Sequence, residues 1–220
     1  MTHAPERASA LITLTRPEKK NALSAQLRDD VTAALGELAA DATVKSVVIT
    51  GEGNVFSAGF DLSEFTRAAE EPAFGLELWA SSDRFHHALI SFPLPLVAAV
   101  NGAALAGGFD LAILCDLRIA ASSARFAHPE FTFGDIVYSP LHDLVGGAVA
   151  RDLSLTGRAI DAAEALRLHV VNEVVADHDL AARVEAITAG ISAAPRENLV
   201  RTKAKIIRRA GIELGPTLDL

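Results

Sequence analysis

Residues 100–116 read V-N-G-A-A-L-A-G-G-F-D-L-A-I-L-C-D, and the reading of this stretch decides the fold. An apolar run at 96–100 leads into it, a turn at 106–108 carries two glycines, and residues 109–115 continue as an apolar helix. Strand, tight turn and helix start together leave backbone N–H groups unpaired at the positive end of a helix dipole, an arrangement that holds negative charge as it develops. Asp110 sits in the first turn of that helix, where the same dipole stabilises a carboxylate.

Upstream of this stretch, residues 8–15 (A-S-A-L-I-T-L-T) are β-branched with partial alternation and predict an opening strand that the polar residues 16–21 end. Ser24 stands as N-cap ahead of a helix over 25–39 with Leu27, Val31, Leu35 and Leu38 on one face. Residues 45–50 (K-S-V-V-I-T) predict a buried strand and 51–54 a turn, and Asp61 and Glu64 have the spacing of a capping box opening a short helix. Residues 70–74, with Pro72 and nearby Gly75, read as a mobile loop before a helix over 76–90, which Pro93 and Pro95 end.

Downstream, 116–121 and 124–127 predict strands separated by Ser122 and Ser123, and 144–153 a helix. Asp161 and Glu164 form a second capping-box spacing that opens a helix over 162–167; 170–175 predicts a final strand, and 180–209 is helical on both sides of Pro195. Strands alternating with helices predict an α/β fold whose apolar strands are covered on both faces. Strands give way to helices near Asp177, which divides the chain into an α/β core over 1–177 and a C-terminal helical segment over 178–220.

With 220 residues, 50% of them hydrophobic, the chain can bury a substantial core as one unit, and a net charge of −8 speaks against a nucleic-acid surface. Residues 1–7 carry charge without the apolar core of a secretory signal, and no apolar run approaches the roughly 20 residues that span a bilayer, so no membrane association is expected. The single cysteine, Cys115, lies in an apolar helix and reads as a buried small hydrophobe in a reducing cytoplasm. The seven histidines do not fall at ligand spacings with acidic or thiol partners, so no metal site is expected.

Five segments, in order and at sensible separations, carry a resemblance. They are L-T-R-P-E-K-K-N-A-L-S at 14–24, V-V-I-T-G-E-G-N-V-F-S-A-G-F-D-L at 47–62, the stretch quoted first, A-R-F-A-H-P-E at 124–130 and L-T-G-R-A-I-D-A-A-E-A-L-R-L-H-V-V-N-E-V-V at 155–175. Together they resemble the enoyl-CoA hydratase/isomerase (crotonase) superfamily. The resemblance implies a crotonase-like α/β spiral of ββα units with C-terminal helices, an acyl-CoA thioester as substrate, no cofactor beyond the coenzyme A that the substrate carries, and a homotrimer or hexamer.

It also implies roles at matching positions. The backbone N–H groups of Phe60 and Gly107 would receive the negative charge of an enolate-like thioester oxygen, with Gly59 and Gly108 allowing close approach. Glu130 and Asp110 would handle a water molecule and its proton. Lys20, Ala22 and Leu23 would meet the adenine and phosphate end of coenzyme A, with Ala58, Asp61 and Leu62 along the rest of the carrier. Three departures stand out: Asp110 replaces a glutamate and is one methylene shorter, residues 134–143 (G-D-I-V-Y-S-P-L-H-D) replace a glycine-rich turn, and the sequence reaches only Leu220, short of the further C-terminal helices of typical members. Tyr138 and His142 then line the acyl pocket, contribute a new proton donor or only fill volume, and Trp79, His86 and His87, on the helix before Pro93, either face the acyl pocket or have an ordinary packing or surface role. An enoyl-CoA hydratase, an isomerase using Glu130 as sole base, and a non-catalytic acyl-CoA binder all stay open at this stage.

Overall fold

The computed structural model describes residues 8–212 and 215–220. Its frame is a five-stranded sheet of β1 (Ser9–Leu14), β2 (Ser46–Gly51), β4 (Leu96–Val100), β6 (Leu117–Ala121) and β9 (Glu173–Val175), in that spatial order. Every pairing is parallel, with Ile12 opposite Ile49, Ile49 opposite Ala98 and Ala99 opposite Ile119. A parallel sheet is covered on both faces, which is why β4 is the unbroken apolar run L-V-A-A-V and is buried along its whole length.

A second sheet of short strands stands beside the first: β3 (Val55–Ser57), β5 (Ala103–Leu105), β7 (Arg125–Ala127) and β8 (Ile160–Asp161). Three times the chain makes a long strand in the first sheet, a short one in the second, and then helix: β2–β3 before α2 (Leu62–Glu70) and α3 (Pro72–Ser91), β4–β5 before α4 (Gly107–Leu114), and β6–β7 before α5 (Ser139–Thr156). This is the ββα spiral that the resemblance implied. Its short strands β3 and β5, next to the turns expected at 51–54 and 106–108, were not foreseen, because three residues are too few for a period of two to show.

The helices mostly start where their caps predict. Ser24 Oγ accepts from Leu27 N to open α1 (Ala25–Ala40), and Asp161 Oδ1 accepts from Glu164 N to open α6 (Ala162–Arg167). Asp61 caps α2 through Ser63 N at 3.2 Å, but Glu64 does not close a box; it accepts from Ala25 N at 2.8 Å and so caps the neighbouring α1. The loop expected over 70–74 is instead a junction of one residue, Glu71, between α2 and α3. Pro72 occupies the first turn of α3, where its missing N–H has no intrahelical acceptor to lose, so it starts a helix rather than breaking one. Likewise Pro140 opens α5 earlier than expected, and Gly146 (φ 76°, ψ 161°) interrupts that helix.

On one face of the first sheet, Val47, Ile49, Leu96, Ala98 and Val100 pack with Leu35, Phe109 and Leu111. On the other, Val48, Val97, Ala99 and Ile119 pack against Leu180 and Val184 of α7 (Leu180–Ser192). The next helix, α8 (Arg196–Ala210), is tied down by Lys203 on Asp116 at 2.6 Å and by Arg196 on the carbonyls of Ala39 and Val44. Residues 215–220 lie on α3, with Thr217 Oγ1 bonded to Asp83 at 2.8 Å and His87 Nε2 at 2.7 Å from Gly215 O. Among the described residues no helix is long and apolar enough to cross a membrane.

Candidate active site

Two tight turns meet at the end of the second sheet. Asn21, fully buried, donates to the carbonyls of Glu52 and Val55 and accepts from Arg16 N, clamping 16–21 onto the chain ahead of β3. Ala58 N donates to Lys20 O at 3.0 Å and Leu23 N to Gly59 O at 2.8 Å, so segments 20–23 and 58–60 run side by side. Gly59 has φ 87°, and a Cβ there would stand 2.6 Å from Ala106 Cβ and 3.0 Å from Gly107 N. A Cβ on Gly108 would stand 2.4 Å from Ser57 O. The turns bearing Phe60 and Gly107 are therefore in contact, and only glycine permits the approach. Gly107, as the first residue of α4, has an N–H with no intrahelical acceptor, and the bridge to Leu23 uses the carbonyl of Gly59. Between them Ala106 is held at φ 50°, ψ −132°, a left-handed conformation costly for a residue with a side chain.

The Phe60 ring is fixed from several sides. It lies against Gly107, 6.4 Å from Phe65 and 6.3 Å from His86, with the Arg28 guanidinium 4.3 Å above its centre. Arg28 is fully buried on α1 and donates to the carbonyls of Leu23 and Leu78 and to Ser81 Oγ. Burial lowers its pKa to about 10, against the opposing pull of Glu64 and Asp29. Helical spacing places Arg28 on the buried face, three residues before Val31 and seven before Leu35, but a charged side chain at that position reads as a solvated one.

The acid–base groups come from α4 and the 3₁₀ turn Pro129–Thr132. Asp110 is 5% exposed, and its Oδ1 lies 2.9 Å from Nε2 of His128, which is 1% exposed. Phe109 stacks obliquely on the His128 ring at 4.7 Å, and His128 Nδ1 is buried with no hydrogen-bond partner among the described residues, so Asp110 is the ring's one polar anchor. Glu130 is half-buried and its Oε2 is likewise buried without a partner. One carboxylate oxygen each of Asp110 and Glu130 and one ring nitrogen of His128 lie within 4.8 Å of one another.

Burial pushes Glu130 up to a pKa of about 7, with the Asp110 charge adding to the rise and the His128 charge opposing it. For His128 burial disfavours the charged ring, but the Asp110 hydrogen bond and the Asp110 and Glu130 charges outweigh it and raise the pKa. Phe126, Phe131 and Phe133, near Glu130 in the sequence, suggest an apolar surrounding for it, and the structure bears this out only in part. Phe126 is fully buried, but Phe131 and Phe133 are 41% and 69% exposed, and Phe131 instead packs on Gly157. His128 was quoted in the sequence without a role; its place two residues after the buried Phe126, just past the end of β7, was the available signal.

The other expected residues divide. Ala22 and Leu23 are buried, and the Leu23 N–H and carbonyl are already bonded to Gly59 O and Arg28, while Lys20 and Leu62 are exposed. Burial would raise the Asp61 pKa, but hydrogen bonds from Ser63 and Arg16 outweigh it and hold this carboxylate below its ordinary range. Trp79 sits edge-on to Phe65 at 6.0 Å, His86 is fully buried beside Phe60, and His87 is bound to Gly215 O. Tyr138 and His142 line a cavity of about 400 Å³ with Asp219 and Leu220. A groove of about 800 Å³ lies on the opposite face of the first sheet, under α7, and includes none of Asp110, His128 and Glu130.

The sequence profile described as Enoyl-CoA hydratase/isomerase matches residues 5–215. A probable enoyl-CoA hydratase of Mycobacterium leprae is 38% identical over 202 residues, which are 90% of this chain and 77% of that one. A short-chain-enoyl-CoA hydratase of Clostridium acetobutylicum is 37% identical over 181 residues, 78% of this chain and 67% of the other. Among solved structures, an enoyl-CoA hydratase of Mycobacterium smegmatis superposes with a TM-score of 0.88 at 33% identity, covering 97% of this chain and 84% of that one. A monofunctional enoyl-CoA isomerase of M. smegmatis gives a TM-score of 0.80 at 31% identity, over 93% and 90% of the two chains.

Proposed function

The chain belongs to the enoyl-CoA hydratase/isomerase family, and from that premise we propose that it is an enzyme adding water across the double bond of a 2-enoyl-CoA thioester. The water oxygen bonds to C3, and the electron pair of the C2=C3 bond moves onto the thioester oxygen as an enolate. That charge falls to the N–H groups of Phe60 and Gly107, each of which as an oxyanion donor contributes about 3 kcal/mol. The water's proton passes to Glu130 and from Glu130 to C2 as the electron pair returns, leaving the thioester intact. Asp110, through the oxygen that His128 does not engage, orients the water.

The observation that carries this reading is Glu130 with its pKa raised to about 7, set close to Asp110 and His128. A group that titrates at working pH both accepts and donates a proton, which a carboxylate at its ordinary pKa does poorly. Lys20, Ala22, Leu23, Ala58, Asp61 and Leu62 form the wall beside the two turns on which we place coenzyme A, and no cofactor beyond it is invoked. The bacterial relatives and the buried Cys115 fit a cytoplasmic enzyme. Loss of the enoyl absorbance of crotonyl-CoA tests the reading: the parent protein should consume it, and Glu130→Gln should be slower by about 100-fold or more. A parent protein without turnover would overturn it.

One observation favours a second reading. With Asp110 Oδ1 bound to His128, Glu130 is the carboxyl group left freest to move a proton, which is all that an isomerase shifting the double bond between C3 and C2 requires. Conversion of a 3-enoyl-CoA that survives Asp110→Asn, without hydration of crotonyl-CoA, would favour it.

A further inference from the structure

Asp110 and Glu130 answer to the expected acid–base pair, but the structure adds a third group that neither the sequence reading nor the relatives' names assign. His128 lies two residues before Glu130, at the end of β7, and its Nε2 meets Asp110 Oδ1 at 2.9 Å inside the protein. Its ring is held by Phe109 at 4.7 Å, and no other polar group of the described residues competes for it. A hydrogen bond between a buried imidazole and a carboxylate is strong, directional and costly to break. Asp110 is one methylene shorter than glutamate, and the imidazole takes up one of its two oxygens. The carboxylate is thereby fixed in place rather than free to swing toward substrate.

Resting on the hydratase reading, we propose that His128 is a positioning residue of this site: it locks Asp110 as a fixed charge beside Glu130, so that Glu130 alone of the three exchanges a proton with substrate. The charges bearing on Glu130 are those of Asp110 from α4 and of His128 beside it. From α3, His86 feels Asp110, and behind it Arg28 of α1 and Asp83 face His86 in turn. On α5, which packs against the 129–132 turn, Asp152 is paired with Arg158 and His142 lies against Tyr138. Asp110 and His128 are thus the two nearest charges of opposite sign, and they push the Glu130 proton in opposite directions.

The test is a pair of substitutions read by two methods, the pH profile of kcat/KM for crotonyl-CoA and a ¹³C-carboxyl NMR titration of Glu130 in the ligand-free protein. His128→Gln keeps a donor for Asp110 but removes the positive charge, and should move the Glu130 midpoint up by about one pH unit; Asp110→Asn removes the negative charge and should move it down by a similar amount. Shifts of opposite sign support the proposal, whereas unmoved midpoints, or shifts of one sign, overturn it. If the parent protein hydrates nothing, the hydratase reading falls, and opposite NMR shifts still establish the coupled group. Should Asp110→Asn fail to fold, His128→Gln and His128→Ala decide: Gln should keep kcat within about tenfold of the parent, and Ala should lose more than tenfold in kcat with KM little changed. Equal kcat for Gln and Ala would overturn the positioning role.

Discussion

A carboxyl group exchanges protons near neutral pH only when something raises its proton affinity, and at Glu130 burial does most of this, with the Asp110 charge adding to it. The same rise links stability to pH. Folding moves the Glu130 pKa from its ordinary 4.5 to about 7, so the folded chain binds more protons than the unfolded one between those values and stability falls as pH rises through them. Glu130→Gln removes the effect, so its melting temperature relative to the parent should be higher at pH 8 than at pH 4; an equal difference at both would contradict this. The residue types were legible in the sequence, since Asp110 and Glu130 lie in quotable motifs. Their surroundings were not, because desolvation depends on which neighbours arrive from elsewhere in the chain. Phe133, three residues beyond Glu130, points largely to solvent, while His128 is tied to a carboxylate 18 positions away.

At the scale of elements, the α4 turn holds strain that a substitution can release. Ala106 at φ 50°, ψ −132° costs about 1–3 kcal/mol. Glycine there would relieve it, offset in part by about 0.4–1 kcal/mol of added freedom in the unfolded chain. Ala106→Gly should therefore raise the unfolding free energy, by up to about 2 kcal/mol, as read by urea titration. Gly59→Ala should do the reverse: its Cβ would strike Ala106 Cβ and Leu105 O at φ 87°, displacing the two turns that bear Phe60 and Gly107. It should destabilise the protein and cost at least about tenfold in crotonyl-CoA turnover, since catalytic groups misplaced by about 1 Å lose far more than binding. Helix starts were legible wherever a side chain caps them, as at Ser24 and Asp161. Pro72 was misread because proline punctuates both a break and a first turn, and only the chain that follows tells them apart.

At the scale of the whole molecule, the parallel sheet was legible in its apolar runs, whereas of the second sheet only β7 was, the other strands being two or three residues long with no pattern of their own. The helices after Asp177 belong to the same body: α7 covers one face of the first sheet, and Lys203, 5% exposed on α8, bonds an Asp116 that also accepts from Leu96 N. Lys203→Ala would leave that carboxylate unpaired and should lower the unfolding free energy by about 3 kcal/mol, measured in urea. Self-association, expected from the resemblance, fits the exposure of Leu62, Leu76 and Leu155 and should appear as a multiple of 23.1 kDa in light scattering. The order of the first sheet, β1-β2-β4-β6-β9, follows the order of synthesis. Each new strand docks on the edge left by the one before it, and none has to be inserted between strands already paired. A chain leaving the ribosome can thus build this sheet from one side as it emerges, so that the slow search usual for distant parallel pairings is divided into short successive steps.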